Sequence, residues 1–199
     1  MSGVQTAAPR LQATSWVAQH PGDREVQQDR AAVLVSRPAG DCQLALVIDG
    51  SGKGQAGTLA ADNVLMTARR VFESFEPART PGTHFLASLV QDAHTVLRIA
   101  GTTAGVVPRC TLAAVLVQPG RVDWCHVGDT RVYHIRQRRL MSCTADHTHA
   151  QKLVSAHGLT HEQALRHPQA RVLTQALGAA SAPQPTLASL PDAQPDDTF

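Results

Sequence analysis

Apolar positions along the chain fall into blocks with different periods. Residues 31–36 (AAVLVS) and 43–48 (QLALVI) are short aliphatic and β-branched runs, which predict buried strands. The Pro-Gly turn at 37–41 between them predicts a hairpin. Residues 13–19 (ATSWVAQ) also have strand character, and the loop 20–28 follows. From residue 58 the period lengthens. Leu59, Val64, Leu65, Ala68, Val71, Phe72 and Phe75 lie close to one stripe and predict a helix over 58–76, ended by Pro77 and Pro81-Gly82. Phe85, Leu86, Leu89, Val90, Ala93, Val96 and Leu97 predict a second helix over 83–100. Strand patterning then returns over 110–118, 121–127 and 131–136, with turns at Pro119-Gly120 and Gly128-Asp129-Thr130, so a three-stranded antiparallel meander is expected. Residues 149–158 read as a helix with Gly158 past its end. Residues 159–167 read as another, opened by a Thr160/Gln163 capping box and stopped by Pro168. Residues 182–197 carry four prolines and are expected to be extended.

Strands come first, then two long helices, then more strands. That grouping predicts a mixed α/β sandwich of hairpin-built sheets and not a doubly wound parallel fold. The 199 residues suffice for one domain, expected over 13–199 behind a loose leader at 1–12. Hydrophobic residues at 43% and charged residues at 17% are globular values. A net charge of +2 and only 4% aromatics speak against nucleic acid as a partner. No apolar run is long enough to span a membrane, and the N-terminus does not read as a signal peptide. Cys42, Cys110, Cys125 and Cys143 are widely spaced, which suggests buried small side chains in a reducing compartment and a cytoplasmic location.

The stretch DGSGKGQAG (49–57) carries most of the chemistry. It follows a buried strand and opens a helix, a junction that presents backbone N–H groups to anions. A phosphate-binding P-loop is excluded, because Val47 stands where its first Gly belongs and Gly54 where its Ser or Thr belongs. Gly52, Gly54 and Gly57 satisfy GxGxxG, but a second helix follows where a dinucleotide fold needs a parallel strand. Asp49, an acid at the end of a buried strand, needs compensation: it either caps the turn or helix, or it holds a divalent cation. His157 and His161 are four apart, yet Gly158 breaks the helix between them, so a zinc site is not expected.

Other polar clusters stand in a definite order around this loop. Arg24, Gln28 and Asp29 precede the first strand, Gly128-Asp129-Thr130-Arg131 follows a later one, and Thr144-Ala145-Asp146-His147 precedes the short helices. VIDGSGKGQAG, WCHVGDTRVYHIR and LMSCTADHTHAQKLVSAHGLTHEQALRHPQARVLTQALG together resemble, over about residues 13–199, the bacterial form of the PP2C-type metal-dependent protein phosphatases.

The resemblance implies a four-layer α-β-β-α sandwich of two mainly antiparallel sheets. It implies hydrolysis of protein phosphoserine or phosphothreonine by a water activated between two Mn²⁺ or Mg²⁺ ions, with a third, weaker ion site. Asp49 would bridge the metals and the Gly50 carbonyl would bind one of them. Asp129 would serve the third ion or, equally, act only as a turn residue. Arg24 would grip the phosphate, a task that suits its planar and permanently charged fork. Asp29 would orient a water on the metal, with Gln28 beside it where the family often has an acid. His147 would be structural. The substrate would be a target of a Ser/Thr kinase.

Departures from the family pattern are Ser51 and Lys53 in the glycine loop and Arg109-Cys110-Thr111 in place of a G-T-T. The family also continues into strands that carry further metal-binding acids, whereas this sequence stops at Phe199. The resemblance therefore leaves open an alternative, a phosphatase-like module that binds phosphoprotein without turnover.

Overall fold

The computed structural model describes residues 12–36 and 41–199. Its elements are β1 (Arg30–Ser36), β2 (Cys42–Ser51), α1 (Ala56–Glu73), α2 (Gly82–Ala104), β3 (Arg109–Gln118), β4 (Arg121–Val127), β5 (Tyr133–Arg136), β6 (Arg139–Cys143), α3 (His149–His157), α4 (His161–Leu165), β7 (Thr186–Leu190) and β8 (Asp197–Thr198). A five-stranded sheet has the order β1-β2-β3-β4-β7, and a three-stranded sheet has the order β6-β5-β8. Every pairing is antiparallel. The mixed α/β architecture with two antiparallel sheets agrees with the sequence expectation.

Strand alternation builds the core. Cys42, Leu44, Leu46 and Ile48 on β2, with Leu112, Ala114 and Leu116 on β3, point to one face and are buried. α1 and α2 cover that face with Ala60, Ala61, Val64, Ala68, Leu86, Leu89, Val90 and Leu97. Phe72, Phe75 and Phe85 close one end, with ring centroids 4.6 to 6.1 Å apart. The opposite face of β2 carries Gln43, Ala45, Val47 and Asp49, and is more open.

A buried carboxylate ties the β3–β4 turn to β7. Asp123 accepts from the Arg121 guanidinium at 2.8 Å, from Gln118 Nε2 at 2.8 Å, and from the Ser189 hydroxyl. In the small sheet, Asp197 accepts from Arg136 and pairs with His134, both at 2.7 Å. The Arg136 guanidinium holds the Asp197 carboxyl well below its usual range. Phe199 stacks on His134 and reaches Trp124 of β4, which links the two sheets.

Five expectations need correction. Residues 13–19 form no strand: their described ties are the Ala13 carbonyl and Ser15 hydroxyl on the Gln43 side chain, and Trp16 is 86% exposed. β2 does not stop before Asp49 but runs to Ser51, because β3 reaches back to pair Asp49 with Thr111 and Ser51 with Arg109. The meander breaks at residues 128–130, where Gly128 at φ +97° turns the chain out of the large sheet, so β5 pairs with β6 and β8 instead of β4. β6 was not anticipated. Of the four cysteines, Cys143 is exposed while the other three are buried. The turn between β1 and β2 lies mostly outside the described residues, but the flanking register, Ser36 opposite Cys42, is that of a hairpin. The expected leader at 1–12 also falls almost wholly outside them.

Candidate functional site

Asp49 is placed by the pleat of β2. Its side chain leaves the sheet on the face opposite the helices, as do Val47 and Ser51. Gly50 between them packs its backbone against the start of α1. A Cβ there would lie 2.2 Å from the Gly57 carbonyl oxygen and 2.5 Å from that of Gln28, so only glycine fits. The chain then turns through Gly52 and Gly54, both at positive φ, into α1. Gln28 donates from Nε2 to the Gly54 carbonyl at 3.1 Å and ties the N-terminal loop to this turn. No side chain caps α1, so Asp49 does not serve as the helix cap.

Asp49 lies within electrostatic range of two further carboxylates, Asp29 and Asp129. Crowding by protein, the negative charge and hydrogen bond of Asp29, and the charge of Asp129 push the Asp49 carboxyl up to about 6, against the pull of Arg24. A hydrogen bond between two carboxyls requires a proton on one of them. Asp29 Oδ1 is shut away from solvent without a hydrogen-bond partner. Oxygen donors of like charge, one of them buried and unsatisfied, fit a hard divalent cation. Among the described residues, however, no three His, Cys, Asp or Glu side chains are close enough to cage an ion by themselves. Any ion here would also take backbone carbonyls and water.

Asp129 is held in place by a strap. Arg131 grips Asp146 through two bonds of 2.6 and 2.7 Å and reaches the Tyr133 hydroxyl at 3.2 Å. His147 donates its backbone N–H to the Gly128 carbonyl at 2.8 Å and accepts the Gly128 N–H on Nδ1 at 3.2 Å. The Thr130 and Thr111 hydroxyls share a hydrogen bond, which joins the Asp129 turn to the strand beside Asp49. His147 stacks on buried His126, ring centroids 4.4 Å apart. Burial and the neighbouring His126 charge pull the His147 pKa down to about 4. These bonds make His147 a structural residue, as expected.

The structure thus brings Asp29, Asp49 and Asp129 together with Arg24 in electrostatic range, and sets Gly50 and Gln28 beneath them. His157 and His161 stay apart, with Gly158 at φ +65° between their helices. Two contributors were not anticipated: the Thr111–Thr130 link and a cavity beside Ser51 and Arg109. The first joins β3 to the turn that follows β4, and the second needs the 172–183 segment to return against β2 and β3.

Two antiparallel sheets, an acidic strand end, a glycine turn and an arginine within electrostatic range are the features that the comparisons with known proteins bear on. The chain belongs to the protein phosphatase 2C family, whose profile it matches over residues 18–181. It is 34% identical over 77 residues to a putative protein phosphatase 2C-type protein of Streptococcus pyogenes, a match covering 39% of this chain and 31% of that protein. The matched stretch therefore spans about a third of that relative. The fold is similar to that of the Mycobacterium tuberculosis serine/threonine phosphatase PstP/Ppp, with TM-score 0.72 and 27% identity over 87% of this chain and 70% of that one. It is also similar to the catalytic domain of PstP in complex with two manganese ions, with TM-score 0.64 and 24% identity over 83% and 67% of the two chains.

Proposed function

We propose that this chain hydrolyses phosphoserine and phosphothreonine in proteins, with Asp49 at the centre of the site. The observation that carries this reading is Asp49 on the end of β2, beside the Gly50 turn and within electrostatic range of Asp29, Asp129 and Arg24, in a chain of the protein phosphatase 2C family. Asp49 and the Gly50 carbonyl would hold Mn²⁺ or Mg²⁺, two ions by analogy with the manganese-bound PstP domain, and Asp129 a further, looser one. Such ions supply an acidified water and neutralise charge that develops on the phosphoryl group.

The chain's own side chains do the positioning. Arg24, exposed at the rim, offers a planar fork to the phosphate oxygens. Asp29, within electrostatic range of Asp49, would orient a water on the metal. Gln28 anchors the glycine turn. Lys53, exposed in that turn, makes no ion pair with a described residue and would add positive charge near an anionic substrate. The substrate would be a phosphoprotein made by a Ser/Thr kinase.

Mn²⁺ titration followed by electron paramagnetic resonance tests the site. Asp49→Asn is expected to weaken Mn²⁺ binding by about a hundredfold or more, at or above the top of the range for losing a group that only supports a ligand. Equal affinity in wild type and variant would remove Asp49 from the centre. A second reading, a module that binds phosphoprotein without turnover, draws on the absence of a complete three-side-chain cage among the described residues. It predicts saturable phosphopeptide binding that depends on Arg24, with no phosphate released.

A further inference from the structure

A cavity of about 470 Å³ opens beside the candidate site, lined on one side by Ser51 and Arg109 and on the other by residues of the 172–183 segment. Its position follows from strand register. Ser51 lies two residues beyond Asp49 on β2 and faces the same way, about 7 Å along the strand. Arg109 pairs with Ser51, and Thr111 with Asp49, so the four side chains share one face. The Ser51 hydroxyl is turned onto the Arg109 carbonyl at 3.4 Å.

The lining is selective in charge. Thr174, Gln175 and Ser181 supply polar groups and alanines supply apolar floor, while no carboxylate lines the cavity. Arg109 is exposed and forms no ion pair with any described residue. An unpaired guanidinium over a cavity without acids is built for an anion. The nearest functional group is the Asp49 centre, so the anion would belong to the same ligand as the phosphate held there.

We propose that Arg109 and this cavity form a specificity subsite for an acidic side chain, Glu, Asp or a second phosphoserine, close to the phosphorylated residue of a peptide substrate. Side chains two residues apart in an extended peptide are separated by about 7 Å, which matches the step from Asp49 to Ser51. This subsite rests on the phosphatase reading above. Arg109 is a specificity residue and touches no reacting atom.

The test uses three phosphoserine peptides that differ only at the second position on either side: Glu, Ala or Lys. kcat/KM with Mn²⁺ and Kd by fluorescence anisotropy are measured for wild type, Arg109→Gln and Arg109→Glu. Wild type is expected to prefer the Glu peptide over the Ala peptide by about five- to tenfold, the worth of one guanidinium contact on a half-open site. Arg109→Gln should bring that ratio to about 1, and Arg109→Glu should make Lys the preferred neighbour. Each ratio compares peptides on one protein, so a general loss of folding or activity cancels. A wild-type ratio of 1, or a ratio that survives Arg109→Gln, overturns the subsite. If no peptide is hydrolysed, the phosphatase reading fails, and the Kd ratios still decide the subsite. If no peptide binds at all, both fail.

Discussion

At the scale of single residues, Gly50 and His147 show why the site can hold its charges. Gly50 brings β2 within contact of α1, and nothing larger than hydrogen fits against the Gly57 carbonyl. Gly50→Ala is expected to lower stability by about 1 to 3 kcal/mol, read from the urea midpoint, since the strand end or the helix start must move. His147 accepts a backbone hydrogen bond on Nδ1, which a proton there would abolish. Its folded pKa, about 4, lies below the ordinary 6.5, so the unfolded chain binds the proton more tightly. The stability it contributes is present above about pH 6.5 and is lost as pH falls towards 4. Asp49, raised instead of lowered, works in the opposite sense over that range. Comparison of wild type with His147→Gln removes the Asp49 contribution, because both proteins share it. Wild type should lose on the order of 1 kcal/mol more than the variant between pH 7 and pH 5, as measured by urea unfolding. Equal losses would show that His147 carries no such load.

At the scale of elements, the capping signals carry through most directly. Thr160 and Gln163 form the reciprocal capping box of α4, and Gly158 ends α3 in the left-handed region. Thr148 caps α3 by accepting from the Gln151 N–H. Thr148→Ala should cost about 1 kcal/mol in thermal or urea unfolding. The two long helices were legible because their buried stripes repeat over four or more turns. β6 was not, for a local reason. Its turn places Gln137 at φ +49° and Arg138 at φ +63°, a left-handed hairpin turn without the Asn or Gly that would announce it. Its five residues are all exposed, so no apolar alternation marks the strand either. Residues 128–130 misled in the other direction: Gly128-Asp129-Thr130 has hairpin composition, but Gly128 at φ +97° turns the chain out of the large sheet and β5 pairs in the second one. The acids of the candidate site were visible as an ordered set of motifs. The Arg109 cavity was not, because its second wall returns from residues 172–183 and no local pattern records that approach.

At the scale of the whole molecule, one layered core positions the strand ends on which the site is built. The helices α1 and α2 fix the buried face of the large sheet, and Asp49, Ser51, Arg109 and Thr111 emerge on the other. Leu89 stands at the centre of that core, 1% exposed, and Leu89→Ala should cost about 2 to 5 kcal/mol in urea unfolding. The central proposal concerns chemistry instead of stability: that the acidic end of β2 serves metal-dependent hydrolysis of phosphoprotein. Its most direct test is inorganic phosphate release from a phosphoserine peptide by the 199-residue chain, with Mn²⁺ and with a chelator, beside Asp49→Asn. The account predicts release with Mn²⁺ that chelation stops and that Asp49→Asn lowers by about a hundredfold or more. Release that persists in Asp49→Asn at the wild-type rate, or none from the wild-type chain with Mn²⁺, would contradict it.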